Sequence, residues 1–380
     1  MVEDALLAWR KEFPILAHTT YMISHSLGAM PRGAEDALRE YTNVWATRGI
    51  RAWEEGWWEM PLRVGDLVGS IIGAAKGSVA MHQNVSVCQT IVTSCFDWSG
   101  RRNKLVTDGL NFPSNEYIYY GLRRQGARVC PVESADGMTL PTERIVDAID
   151  EETQLVSVSH VAFRSSYVQD LAAITRRAHE VGARVVADLY QSTGILPVNV
   201  GEWSVDFATG GSVKWLCGGP GAGYLYVRPD VKLEPAATGW MAHARPFGFE
   251  GGPIEYADDG FRYLNGTPNL PAMYAARTGY EIVNQVGVDA IREKSLRQTA
   301  LLMELADEAG IAVRTCREAR LRGGVVTLDV PNGKEVTAEL GRREVLVDYR
   351  PGAGIRVAPH FYTSDDEVRR TVAEVISIVR

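Results

Sequence analysis

The chain has 380 residues, long enough for two domains with cores of full size, and its 46% apolar and 23% charged residues are those of an ordinary globular protein, not a disordered one. A formal net charge of −7 without any basic stripe argues against nucleic acid and an anionic membrane as partners and leaves a small molecule as the expected one. Five cysteines (Cys88, Cys95, Cys130, Cys217, Cys316) form no CxxC pair, which points to a reducing, cytoplasmic setting, and no run approaches the roughly eighteen apolar residues of a membrane span.

Residues 1–20, with Asp4, Arg10, Lys11 and Glu12 and no long apolar stretch, read as neither signal peptide nor anchor. Ala34–Trp45 reads as a helix. From about residue 62, short β-rich runs alternate with longer amphipathic ones. Strands are expected at Lys104–Thr107, Arg128–Pro131, Leu155–His160, Arg184–Asp188, Phe207–Thr209 and Gly223–Val227, and helices between them at Asn115–Gln125, Thr142–Ile149 and Leu171–Val181. That alternation predicts a large, doubly wound, mostly parallel α/β domain. After Pro268 one long helical stretch to about Ala309 precedes strands at Gly324–Val330, Val345–Asp348 and Gly354–Val357 and a helix over Ser364–Arg380, the pattern of a smaller α/β domain. The expected division is 46–260 for the large domain, with 1–45 and 261–380 forming the small one.

The chemistry concentrates at strand ends. Ala183–Asp188 is an apolar run ending on a carboxylate, and ligands of open α/β sheets bind where strands end. Twenty-six residues on, Lys214 follows Phe207-Ala-Thr-Gly-Gly-Ser-Val and precedes the glycine-rich Cys217–Gly223. A lysine opposite a buried aspartate suits pyridoxal 5′-phosphate, which needs an amine for attachment and an anion to keep its ring nitrogen protonated. Taken singly, Asp188 reads equally as a helix cap and Lys214 as a surface residue. Asn84 or Ser86 opens a helix able to hold a phosphate or serves as an ordinary N-cap. Phe112 stacks on a ring or covers core, and Arg356, inside an apolar strand, clamps a carboxylate or pairs with Asp348. His25 and His160 lie in stretches able to face the site. No set of residues has metal-ligand spacing, so no metal is expected.

With these residues in view, the sequence resembles kynureninase, a member of the class V aminotransferase superfamily with the fold of type I pyridoxal-phosphate enzymes. The matching stretches are Ser26–Pro31, Gly49–Trp53 with Gly56-Trp57, Phe112-Pro-Ser114, His160-Val161, Asp188, Lys214 with Gly218–Gly221, Thr238–Trp240 with His243, Phe261–Pro268, and the Arg356 strand with Tyr362-Thr363. The resemblance implies that Lys214 carries the cofactor and Asp188 meets its ring nitrogen, with Phe112 against the ring. It also implies cofactor contacts from Asn84, Val85, Ser86, Asn115, Gln191 and Ser212. Arg356 would hold the substrate carboxylate, with His25, Trp57 and His160 as further substrate contacts. Kynureninases are dimeric with sites at the interface, so a homodimer is expected, Thr267 reaching the partner's phosphate and Trp240 lying near it.

The departures sit at the same site. Kynureninases usually have a tyrosine before the lysine, an aspartate after Phe-Pro-Ser/Thr, a histidine three residues past the ring-binding aspartate and an asparagine before Ser-Leu-Gly; here these are Val213, Asn115, Gln191 and His25. The usual phosphate loop reads His82-Gln-Asn-Val-Ser-Val87. The expected activity is therefore hydrolytic Cβ–Cγ cleavage, or related lysis at Cβ, of a bulky or aromatic amino acid. The alternatives are a class V aminotransferase and, from another class, a catalytically inactive cofactor-binding protein.

Overall fold

Apolar runs between residues 79 and 227 become strands of one sheet covered by helices on both faces, so neither face of a central strand meets water. In the computed structural model, which describes residues 4–380, a short strand β1 (Thr20–Tyr21) and helices α1 (Gly33–Arg48) and α2 (Met60–Ile72) precede this sheet. The sheet contains β2 (Val79–His82), β3 (Lys104–Asp108), β4 (Arg128–Val132), β5 (Thr153–Ser159), β6 (Arg184–Asp188), β7 (Phe207–Gly211) and β8 (Gly223–Val227). Their order in space is β2-β8-β7-β6-β5-β3-β4; β3 to β7 are parallel, and β8 pairs antiparallel with β7 and β2. Alternate residues enter opposite cores: Val156, Val185 and Ala208 one, Leu155, Val186 and Phe207 the other. Helices α3 (Val85–Thr93), α4 (Pro113–Leu122), α5 (Thr142–Asp147), α6 (Leu171–Glu180) and α7 (Val200–Trp203) connect the strands.

All six strands expected here are present, their ends moved by two residues at most. Strand β2 and helix α2 were not expected. Val-Ala-Met-His is short, lacks a β-branched repeat and forms an edge, so no local periodicity marks it.

The long C-terminal helical stretch is two helices, α8 (Leu270–Val286) and α9 (Val288–Glu308), parted at Gly287 where φ is 81°. β9 (Ala312–Val313), β10 (Val326–Asp329), α10 (Gly333–Arg342), β11 (Val345–Leu346), β12 (Asp348–Arg350), β13 (Gly354–Val357) and α11 (Asp365–Val379) follow, with β12-β13-β10-β9 as a second, antiparallel sheet. A capping box between Ser364 and Glu367 starts α11. The N-terminal segment joins this sheet's side through the parallel pair β1-β11. Helix α8 instead packs on α1 and α2.

Helix α8 also braces the turn that carries Lys214. Its Gly279 lies so close to Leu216 that a Cβ there would meet the carbonyl oxygen. Gly279→Ala is therefore expected to destabilise the fold by about 1–3 kcal/mol, read as a lower midpoint in thermal or urea unfolding, whereas alanine at Gly341, inside α10 where a Cβ meets nothing within 4 Å, leaves stability unchanged or raises it by up to about 1 kcal/mol.

Candidate active site

Strands β6 and β7 lie side by side and parallel, with Asp188 opposite Thr209. Their carboxyl ends therefore open at one edge, which brings Asp188, the last residue of β6, together with Lys214, on the turn just after β7. Both line a cavity of about 300 Å³ whose wall also includes Asn84, Ser86, Phe112 and Gln191.

Asp188 is buried and held still. Its Oδ1 accepts from the backbone N–H of Tyr190 at 2.8 Å and its Oδ2 from Nδ2 of Asn115 at 2.6 Å. Burial raises its pKa, while these bonds and the charge of Lys214 work the other way. Burial lowers Lys214 to about 8, against the pull of Asp188 and with Arg356 and Arg350 adding to the fall. An amine of that pKa loses its proton only slightly above neutral pH, far more readily than an ordinary lysine, and can then act as nucleophile or base.

Asn84 caps α3, accepting from the N–H of Val87 at 3.1 Å, so the amides of Val85 and Ser86 head an open first turn on the cavity wall. Gly223 lets β8 run against this turn: a Cβ there would lie 2.8 Å from the Asn84 backbone. Phe112 lines the cavity and is 44% exposed. An anionic tail at α3, a ring beside Phe112, a protonated ring nitrogen at Asp188 and an attachment amine at Lys214 are the four needs of pyridoxal 5′-phosphate, and this donor set meets each.

Other expected residues stand further back. The guanidinium of Arg356 is forked onto Asp348, with Nε 2.7 Å from Oδ1, and Nη1 donates to the carbonyl oxygen of Phe163. Asp348 also receives His25 at 3.1 Å and Arg350 at 3.1 Å. Although burial opposes it, the hydrogen bonds from His25 and Arg356 hold Asp348 well below the usual carboxylate range. Burial keeps His25 neutral, its pKa lowered to about 4. Gln191 lines the cavity, but its Nε2 donates to the His25 carbonyl and its Oε1 accepts from the indole N–H of Trp215.

Five expected contacts do not reach this cavity. Trp57 is core: it stacks on Tyr41 at 5.6 Å and donates to the Tyr274 hydroxyl, because the chain at 53–57 turns its ring towards α8. His160 is buried edge-on against Trp203 at 4.7 Å. The Ser212 hydroxyl is taken by the Ala222 carbonyl and by Tyr280. Thr267 and Trp240 line a separate, open hollow of about 770 Å³ with Trp53, Trp58, Phe247 and Phe249.

Val161, Phe163 and Tyr190 also line the cavity and were not read as site residues from the sequence. Phe163 meets Phe112 edge-on at 5.3 Å. Each directly follows a strand or sits in the loop beyond it, the same position that singled out Asp188, but an apolar ring there reads as core.

Comparison with known proteins decides the family. The model of the family described as aminotransferase class-V matches residues 66–359. The chain belongs to this family. It is 31% identical over 97% of its length to an uncharacterized aminotransferase, YcbU, of Bacillus subtilis (strain 168), covering 96% of that protein. It is 31% identical over 92% of its length to a kynureninase of Burkholderia pseudomallei (strain K96243), covering 86% of it. Among solved structures, the apo cysteine desulfurase of Thermococcus onnurineus NA1 superposes with a TM-score of 0.86 at 21% identity, covering 98% of this chain and 97% of that one. A cystine C-S lyase, C-DES, in complex with cysteine persulfide gives 0.85 at 19% identity, with 96% and 99% covered. This class V protein thus has the type I fold, is an enzyme, and uses pyridoxal 5′-phosphate.

Because Lys214 must be unprotonated to capture the cofactor, the rate at which apoprotein takes up pyridoxal 5′-phosphate is expected to rise with pH and level off above about 8. Stopped-flow absorbance measures it, and Lys214→Ala should show no covalent capture at any pH.

Proposed function

We propose that this class V enzyme cleaves a bond at Cβ of an α-amino acid with a bulky or aromatic side chain, hydrolytically and in the manner of kynureninase. The observation that carries the reading is the cavity lining, where Phe112, Val161, Phe163 and Val213 offer apolar surface and Lys214 is the one cationic side chain among the described residues that form it. Bound pyridoxal phosphate supplies the electron sink that loosens bonds at Cα and Cβ. Asp188 would hold the charge at the ring nitrogen, and Lys214, with its pKa lowered to about 8, would move protons at the reacting carbon of the substrate.

Arg356 and Arg350 share one carboxylate, Asp348, and His25 beside it is neutral, so this corner keeps one positive charge in excess to draw the substrate carboxylate. A second reading, an aminotransferase, is favoured by Val213, which puts methyl groups where a hydroxyl would assist hydrolysis of a carbon–carbon bond, and by the similarity to YcbU. The test is a visible spectrum of the holoenzyme titrated with L-kynurenine, 3-hydroxykynurenine and the common amino acids, with products identified by mass spectrometry. Release of an aryl acid with alanine supports hydrolysis; conversion to the pyridoxamine form with a 2-oxo acid overturns it for transamination. No spectral response to any amino acid would leave an inactive cofactor-binding protein.

We further propose a cytoplasmic homodimer. All five cysteines are free, which suits a reducing compartment. The hollow that holds Trp240 and Thr267 exposes 62% of Phe247 and 76% of Phe249, apolar surface of the kind a subunit interface covers. Phe249→Glu should shift sedimentation towards monomer and weaken cofactor retention together; an unchanged dimer would remove this face from the interface.

A further inference from the structure

Lys214 makes no hydrogen bond and no ion pair within 4 Å among the described residues, yet its amine is not without a neighbour. Its Nζ stands 4.5 Å from the centroid of the Tyr190 ring and 5.7 Å from that of Phe112. Both rings line the same cavity as the lysine. Tyr190 reaches this place from the loop just after β6, two residues beyond Asp188, and its backbone N–H fixes the Asp188 carboxylate. Its ring lies over the end of β7, where Gly211 has no side chain: a Cβ there would lie 2.5 Å from the Tyr190 hydroxyl. The ring is therefore held between the carboxylate that faces the cofactor and the strand that delivers the lysine.

We propose that Tyr190 is a positioning residue for Lys214: the face of its ring seats the lysine ammonium whenever the amine is not engaged, with Phe112 as a second and more distant wall. An ammonium over an aromatic face in a water-poor site is stabilised by the ring quadrupole. This seat offsets part of the burial that drives Lys214 towards its neutral form. The other charged groups acting on the amine are Asp188, Arg356, Arg350 and Asp348, with His25 beside them. None of them touches it, so the ring decides where the freed amine rests. The assignment holds whichever bond the enzyme breaks, because hydrolysis, lysis at Cβ and transamination all need the same lysine released and recaptured.

The test is made on apoprotein, by competitive acetylation of Lys214 from neutral to strongly alkaline pH with the modified peptide counted by mass spectrometry. Tyr190→Leu, which removes the ring, is expected to lower the apparent pKa of Lys214 by about one unit, a tenfold change in its protonation equilibrium. Tyr190→Phe, which keeps the face and loses only the hydroxyl, should stay within a few tenths of the unaltered protein. If Tyr190→Leu leaves the pKa unchanged or raises it, or if Tyr190→Phe moves it as far as leucine does, the proposal is overturned. Should Tyr190→Leu not fold by its thermal transition, Phe112→Leu decides: a smaller fall in the same direction supports the aromatic seat, and no fall rejects it. Because no substrate is present, failure of the assigned reaction cannot mimic either result.

Discussion

Everything at this site depends on one arrangement, a half-buried amine and a buried carboxylate set at and just beyond the ends of two adjacent parallel strands. Burial alone drives each towards neutrality, Asp188 up and Lys214 down, and each opposes the loss in the other. The two halves are not equivalent. Asp188 accepts from a backbone amide and from Asn115, so its oxygens are fixed before any ligand arrives. Lys214 is bound to nothing and lies on a turn rather than in the strand. A fixed anion and a movable amine are what a cofactor needs when it must be held at its ring and exchanged at its carbonyl carbon.

The second sheet brings charge to the same edge. β12 and β13 pair with Asp348 opposite Arg356, so the carboxylate and the guanidinium meet across a hairpin, and Arg356 then reaches over to the carbonyl of Phe163 in the large-sheet loops. Those bonds tie a side chain of one sheet to the wall of a cavity built on the other. The same arginine lowers the proton affinity of Lys214 at a distance. A ligand carboxylate that draws Arg356 forward must therefore compete with Asp348, and any such movement is felt by both the cavity wall and the amine.

What could be read from the sequence was local. Asp188 and Lys214 are marked by an apolar strand ending on a charge and by a glycine-rich turn, features that survive in a single stretch of chain. Arg356 was legible as an arginine needing an anion, and the reading that paired it with Asp348 is the one the fold displays, because the two stand in register on one hairpin. Trp57 and His160 lay in telling stretches but point into packing, at Tyr274 and Trp203, since which face of an irregular segment turns inward is a tertiary matter. Strand β2, too short and too ordinary to show a period, becomes a strand through β8. Phe163 and Tyr190 were missed for the opposite reason: a ring after a strand is common enough in cores to carry no signal of its own.

The distribution of these residues explains why the cofactor is so much more firmly fixed than the reaction. The groups assigned here to the cofactor would meet it from the ends of β6 and β7 and from the first turn of α3, positions the sheet holds rigidly. The groups that would choose a bond to break are carried by turns and loops: Val213 beside the lysine, Phe163 beyond β5, Tyr190 beyond β6. Changing them alters the wall and the acid–base surroundings without disturbing the amine–carboxylate pair. A valine at position 213 removes nothing among the residues that would hold the ring; it changes only what would stand beside the carbon being broken.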